Sequence, residues 1–229
     1  MQALDLYATI EPLIGFDTQY ERLYARYLSV LKSLHVTRVL DIGCGNGKLL
    51  LHLLNAGFEA QGIERSAVMV VRARALGVPA TLDELDALEE GSFDAILAVA
   101  DVLNYIPEGE LDAFFVQLRR VLKPEGFFLA DINTLYGFES VAEGVMLKED
   151  AGKFLAIEAT FEKPLLHTKI TLFTENKGHY SKEHGVITQY FHPLSTFKKI
   201  PHFRFHKSHP ITLFSDGSAD KTLFILQKT

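Results

Sequence analysis

The residues best able to do chemistry in this chain lie in one stretch, Val39 to Gly47, which reads VLDIGCGNG. An acid, Asp41, closes a short apolar run. Glycines follow at 43, 45 and 47, and KLLLHLLNAG comes directly after them. Strand, glycine turn and helix in that order let the polar part of a ligand approach bare backbone, because no Cβ stands in the way. The N–H groups of such a turn and of the following helix start favour an anion, and a carboxylate at the strand end favours a cation. A second acid, Glu64, ends the next apolar segment 21 residues after Gly43. In nucleoside-binding folds of this topology an acid there accepts hydrogen bonds from both ribose hydroxyls.

Spacing decides between ligands. A phosphate-cradling loop needs four residues between its first glycine and a Gly-Lys-Ser/Thr; here Gly47-Lys48 is followed by Leu49, and Ile42 stands where the first glycine belongs. A dinucleotide loop needs a third glycine where Lys48 sits. The remaining pattern, Asp-Ile-Gly-Cys-Gly-Asn-Gly, resembles motif I of the class I S-adenosylmethionine (SAM) methyltransferases. The resemblance implies SAM as cofactor. Asp41 would reach the amino group of the methionine moiety, and Gly43, Gly45, Asn46 and Gly47 would form the turn at its carboxylate. Glu64 would hold the ribose and Arg65 would flank the adenine. The family places a polar residue before strand four to accept the adenine amine. Asp83 occupies that place, with Glu84 and Asp86 as rivals in a segment of six acids between 83 and 94. Ala100 and Asp101, ending strand four, would lie against the cofactor, with Asn104 and Tyr105 nearer the methyl group. Pro124-Glu125-Gly126 resembles the family's Pro-Gly-Gly, Glu125 being the departure.

Tyr7, the segment FDTQY (16 to 20) and the stretch HYSKEHGVITQYF are similar to small-molecule N-methyltransferases of the amino-sugar and glycine-methylating type. That similarity implies methyl transfer to a small amine, with Tyr7, Tyr105 and His184 closing over the methyl group as candidate catalytic residues. His184 and Tyr190, six apart, share a strand face if no bulge intervenes at Gly185. A methyltransferase acting on RNA or protein, or a SAM-binding subunit without catalysis, remain the alternatives. Seven of the nine histidines fall between 167 and 209. No acid or cysteine is spaced with them as metal ligands, so no metal is expected.

These residues need a frame. The 229 residues suit one domain, and 48% of them are apolar. The net charge of −6 counts against a nucleic-acid substrate, although His167 to Lys177 and Lys198 to Lys207 are locally basic. A lone cysteine, Cys44, excludes an internal disulfide. The amino terminus lacks the pattern of a signal peptide, and no apolar run approaches the roughly 20 residues of a membrane span, so a cytoplasmic protein is expected. A homodimer through the β cap described below is a further expectation.

The periodicity predicts two helices over residues 4 to 34, the second capped by Asp17, then alternating strands and helices from 37 to 133. After Asn133 the pattern turns to antiparallel hairpins, with a turn at Asn176-Lys177-Gly178, and a last hairpin near 202 to 227 completes the main sheet. The expected fold is α/β: a Rossmann-like, seven-stranded, mostly parallel sheet flanked by helices, its last strand antiparallel. An antiparallel β cap is inserted between strands five and six. The divisions are N-terminal helices over the site (1–36), a SAM-binding core (37–133), the substrate cap (134–200) and the final hairpin (201–229).

Overall fold

The computed structural model describes residues 3–229. Two helices, α1 (Ala3–Ile14) and α2 (Asp17–Leu34), come first and are joined through Gly15, whose φ of 82° favours glycine. Asp17 is the first helical residue of α2, and Phe16 holds the cap position without a side-chain bond. The Asp17 carboxylate instead meets Lys48 at 2.5 Å, where an acid in the first turn also suits the helix dipole. Leu23, Tyr27 and Leu31, four apart, are the buried stripe of α2.

The core then runs β1 (Arg38–Ile42), α3 (Lys48–Asn55), β2 (Glu59–Ile63), α4 (Ala67–Ala75), β3 (Ala80–Thr81), β4 (Phe93–Ala98), α5 (Leu111–Val121) and β5 (Leu122–Asn133). Ser66 caps α4 by accepting from the Met69 N–H at 3.3 Å, and Gly77, with φ of 78°, follows its end. The cap follows as β6 (Gly144–Asp150), β7 (Lys153–Glu162), β8 (Leu165–Asn176) and β9 (His179–Tyr190). A short α6 (Leu194–Phe197) leads back to β10 (Phe203–Ile211) and β11 (Lys221–Lys228).

The main sheet has seven strands in the order β10-β11-β5-β4-β1-β2-β3, and only β11 runs antiparallel to its neighbours. The fold is therefore the Rossmann-like architecture with an antiparallel insert. Residues of α2, α3 and α4 pack on one face, and those of α5 and α6 on the other. The strand order reverses between β1 and β4, so a crevice opens beyond their carboxyl ends.

The cap is a second sheet in the order β6-β7-β8-β9. Its β8–β9 turn is made by Lys177 (φ 52°) and Gly178 (φ 80°), the positive pair that a tight hairpin turn requires. Helix α1 joins cap to core: Leu6 and Ile10 pack with Leu155, Ile170, Leu172 and Ile187 of the cap. Pairing of β9 with β8 is unbroken through Gly185, which lies opposite Ile170. A Cβ at Gly185 would stand 3.2 Å from Leu6, so the close approach of α1 explains that glycine.

Candidate active site

A cavity of about 280 Å³ occupies the crevice, roofed by α1 and floored by the ends of β1, β2 and β4. The glycine turn is tied to β2: the Gly43 and Cys44 N–H groups both donate to the Ile63 carbonyl, at 2.8 and 3.2 Å. Gly43 and Gly45 adopt φ of 68° and 53°. A Cβ at Gly43 would strike Val102 at 2.8 Å, whereas one at Gly45 would meet no atom within 4 Å. Gly45 thus presents bare backbone at the cavity, as a close-fitting ligand needs.

Asp41 is 2% exposed, and its Oδ1 has no hydrogen-bond partner. Burial, and then the neighbouring charge of Glu64, hold its carboxyl well above the usual carboxylate range. An orphaned carboxylate lining a cavity is a receptor for a cation, and the amino group of SAM fits it. Glu64 accepts from the Gly45 N–H at 3.0 Å on one oxygen and from the Ser66 N–H at 2.8 Å on the other. Each oxygen keeps a further acceptor position, which suits the two ribose hydroxyls. Asn46 donates to both oxygens of Glu11 from α1, at 3.2 and 3.1 Å, and Ser66 donates to Asp5 at 2.6 Å, so α1 is bonded to the cradle it covers. At the other rim Arg65 pairs with Glu84 at 3.3 Å beside Asp83; Asp86 does not line the cavity.

Beyond β4 the backbone turns through Ala100 (φ 62°) and Asp101 (φ 58°), successive left-handed residues that are not glycine. Such positions cost on the order of 1–3 kcal/mol each. Asp131, on β5 and fully buried, offsets that cost: its carboxylate accepts both N–H groups, at 2.8 and 3.0 Å, and the Tyr27 hydroxyl at 2.8 Å. Lys221 on β11, 2% exposed, bridges Asp101 at 2.7 Å and Asp131 at 3.3 Å. These two carboxylates outweigh the burial of the ammonium and raise its pKa. Tyr7, Tyr20, Tyr24 and Tyr105 line the same chamber. Burial pushes Tyr7 up to about 12 and raises Tyr20, Tyr24 and Tyr105 well above the usual phenol range, so all four serve as neutral phenols.

Of the anticipated site residues, Tyr7, Asp41, Gly43, Gly45, Asn46, Glu64, Arg65, Asp83, Glu84, Ala100, Asp101 and Tyr105 all line this cavity. Gly47 does not. A Cβ there would stand 2.7 Å from Val78 and 2.8 Å from Ala73, so Gly47 is required for packing behind the turn. Cys44 is buried in the same turn, and burial pushes its thiol up, which suits packing. His184 is a correction: it is exposed on the outer face of the cap, within 3.2 Å of the Thr171 hydroxyl and away from the cavity. Strand parity is the cause. The odd residues Gly185 and Ile187 face α1, so the even ones, His184 and Tyr190, point elsewhere. The cap residue that reaches the chamber wall is Gln189, which donates to Asp101 at 2.6 Å. His202 lies in a left-handed turn just before β10. Among the described residues no cluster of three or more possible metal ligands forms.

Sequence reasoning missed Glu11, Tyr20, Tyr24, Asp131, Gln189 and Lys221. Tyr20 and Tyr24 fall on the apolar stripe of α2, where helical periodicity signals packing and gives no sign of the chamber. A lysine in a core strand was the one available sign of the buried network.

Residues 39–126 match the family model described as a methyltransferase domain. Putative methyltransferase YqeM of Bacillus subtilis (strain 168) is 31% identical over 142 residues, 56% of this chain and 58% of that protein. Among curated relatives the matched stretch spans as little as 35% of the relative's own length. The crystal structure of a SAM-dependent methyltransferase from Clostridium acetobutylicum ATCC 824 superposes with a TM-score of 0.78, at 19% identity over 97% of each chain. SAM-bound CalS10, an amino pentose methyltransferase from Micromonospora echinaspora, superposes with a TM-score of 0.72, at 17% identity over 98% of this chain and 97% of that one. At such identities these two structural matches establish the fold.

Proposed function

We propose that the chain is a class I SAM-dependent methyltransferase that transfers a methyl group to a small-molecule amine. The observation that carries this reading is the charge of the cavity. Among the described residues six acids line it (Glu11, Asp41, Glu64, Asp83, Glu84 and Asp101) against one lining cation, Arg65, whose charge is turned to Glu84, while Lys221 stands behind the wall and pairs with Asp101. A chamber of that sign favours a cationic cofactor and a neutral or cationic acceptor, and it disfavours phenolates, carboxylates and phosphate backbones.

SAM supplies an activated methyl carbon on a sulfonium. The chain binds and orients. Asp41 takes the amino group, the bare backbone of the glycine turn takes the carboxylate, Glu64 takes the ribose, and Asp83 or Glu84 takes the adenine amine. Helix α1 covers the cavity with Leu4, Tyr7 and Glu11, and holding two reactants in line can supply about 7–11 kcal/mol of the barrier. An amine attacks through its lone pair, so the rate should rise with pH as the acceptor loses its proton. The modest volume of the chamber suits a small acceptor better than RNA or protein. Methyl-labelled SAM offered with small amines, phenols, RNA and protein fractions tests this. Label should pass to an amine; label passing only to a phenol, RNA or protein would overturn the reading.

A further inference from the structure

We propose that Lys221 and Gln189 are positioning residues that hold the Asp101 carboxylate at the acceptor end of the cavity, where it pairs with positive charge arriving on the acceptor nitrogen. The inference rests on the amine reading above. Asp41, Glu64 and the glycine turn occupy the cofactor end. Asp101, expected against the cofactor from its place beyond β4, neighbours Tyr7, Tyr20 and Tyr105 and is bonded to Gln189, so α1, α2 and the cap, elements outside the nucleotide-binding core, all approach it.

Its two oxygens are held from opposite sides. Oδ2 accepts from Gln189 at 2.6 Å and from Asn133 at 3.3 Å. Oδ1 accepts from Lys221 alone, at 2.7 Å, and so keeps an acceptor position for a ligand. Lys221 is itself fully engaged, since Asn133 Oδ1 at 2.8 Å and Asp131 at 3.3 Å take its other contacts. Asp131 is saturated by Tyr27 and two backbone N–H groups. Two carboxylates and one ammonium leave this network one negative charge in excess, and Asp101 is its member on the cavity wall. During transfer the nitrogen lone pair forms the new N–C bond, the S–C bond breaks with its electrons on sulfur, and the positive charge moves to nitrogen. A fixed carboxylate beside nitrogen stabilises that product-like charge more than it stabilises the neutral amine.

The test uses whichever amine the wild-type chain methylates in a panel of methylamine, ethanolamine, glycine and an amino sugar. Asp101→Asn should lower kcat/KM for that amine at least 30-fold and weaken its calorimetric binding to the S-adenosylhomocysteine complex about tenfold. The SAM dissociation constant should stay within threefold. Gln189→Leu should raise the KM for the amine about tenfold with SAM affinity unchanged, a split that a purely structural role would not produce. Lys221→Met should act as Asp101→Asn does, and the other two variants decide the matter if it does not fold. A wild type that methylates amines while Asp101→Asn and Gln189→Leu keep the acceptor KM and kcat within twofold overturns the inference alone. A wild type that methylates no amine overturns the amine reading and the inference with it.

Discussion

Replacing Glu64 by alanine should cost the protein most of its hold on the nucleoside. The carboxylate is shared between the glycine turn and the start of α4, at 3.0 Å to the Gly45 N–H and 2.8 Å to the Ser66 N–H. Its remaining acceptor positions face the cavity. A hydrogen bond to a charged group contributes about 1.5–3 kcal/mol net. The side chain is only partly buried, so water can take over the two backbone donors, and the loss in binding should reflect mainly the ribose hydroxyls. The expected weakening is therefore about 1.5–3 kcal/mol, roughly 10- to 150-fold in dissociation constant. Isothermal titration with S-adenosylhomocysteine measures it without any methyl acceptor, and near-ultraviolet circular dichroism confirms that the variant is folded. Glu64→Gln should fall between, because its amide can accept on one side only. An unchanged dissociation constant in folded Glu64→Ala would refute the assignment of this acid to the ribose.

Three further outcomes follow from the geometry. The Asp41 carboxyl is raised in the folded state, so the folded chain binds more protons than the unfolded one above about pH 4, and Asp41 withdraws stability as pH rises from there. Asp41→Asn should leave the ligand-free protein at least as stable at pH 8 yet weaken SAM binding tenfold or more; thermal melts with and without SAM from pH 5 to 8 check both halves. His184→Ala should keep turnover and SAM affinity within twofold, since the side chain faces outward from the cap, and steady-state kinetics would expose any larger effect. Tyr27→Phe removes a buried 2.8 Å bond to Asp131 and should destabilise the fold by about 1–3 kcal/mol, read from denaturant midpoints.

The glycine-turn end of the cavity, where we propose the cofactor, was legible in the sequence because its chemistry is local. Asp41, the glycines and Glu64 sit at strand ends, where the fold leaves little freedom, and their spacing alone excluded phosphate and dinucleotide loops. The parallel core was legible for the same reason, through apolar runs alternating with helical stripes. The end around Asp101, proposed for the acceptor, was not, because it is assembled by contacts distant in sequence: Lys221 meets Asp101 from 120 residues away, and Gln189 from 88. Strand parity decided the fate of His184. A chemically attractive histidine one residue out of phase points away from the site, and Gln189, in phase, reaches it. Gly47 shows the converse, a motif glycine whose reason is packing against Ala73 and Val78 rather than ligand contact.

The central claim, that this cavity is a SAM site, is tested most directly by calorimetric titration of the purified chain with SAM and, separately, with NAD. The account predicts one SAM site with a dissociation constant on the micromolar scale, about −8 kcal/mol, and no heat of binding for NAD. Binding of NAD without binding of SAM would contradict it.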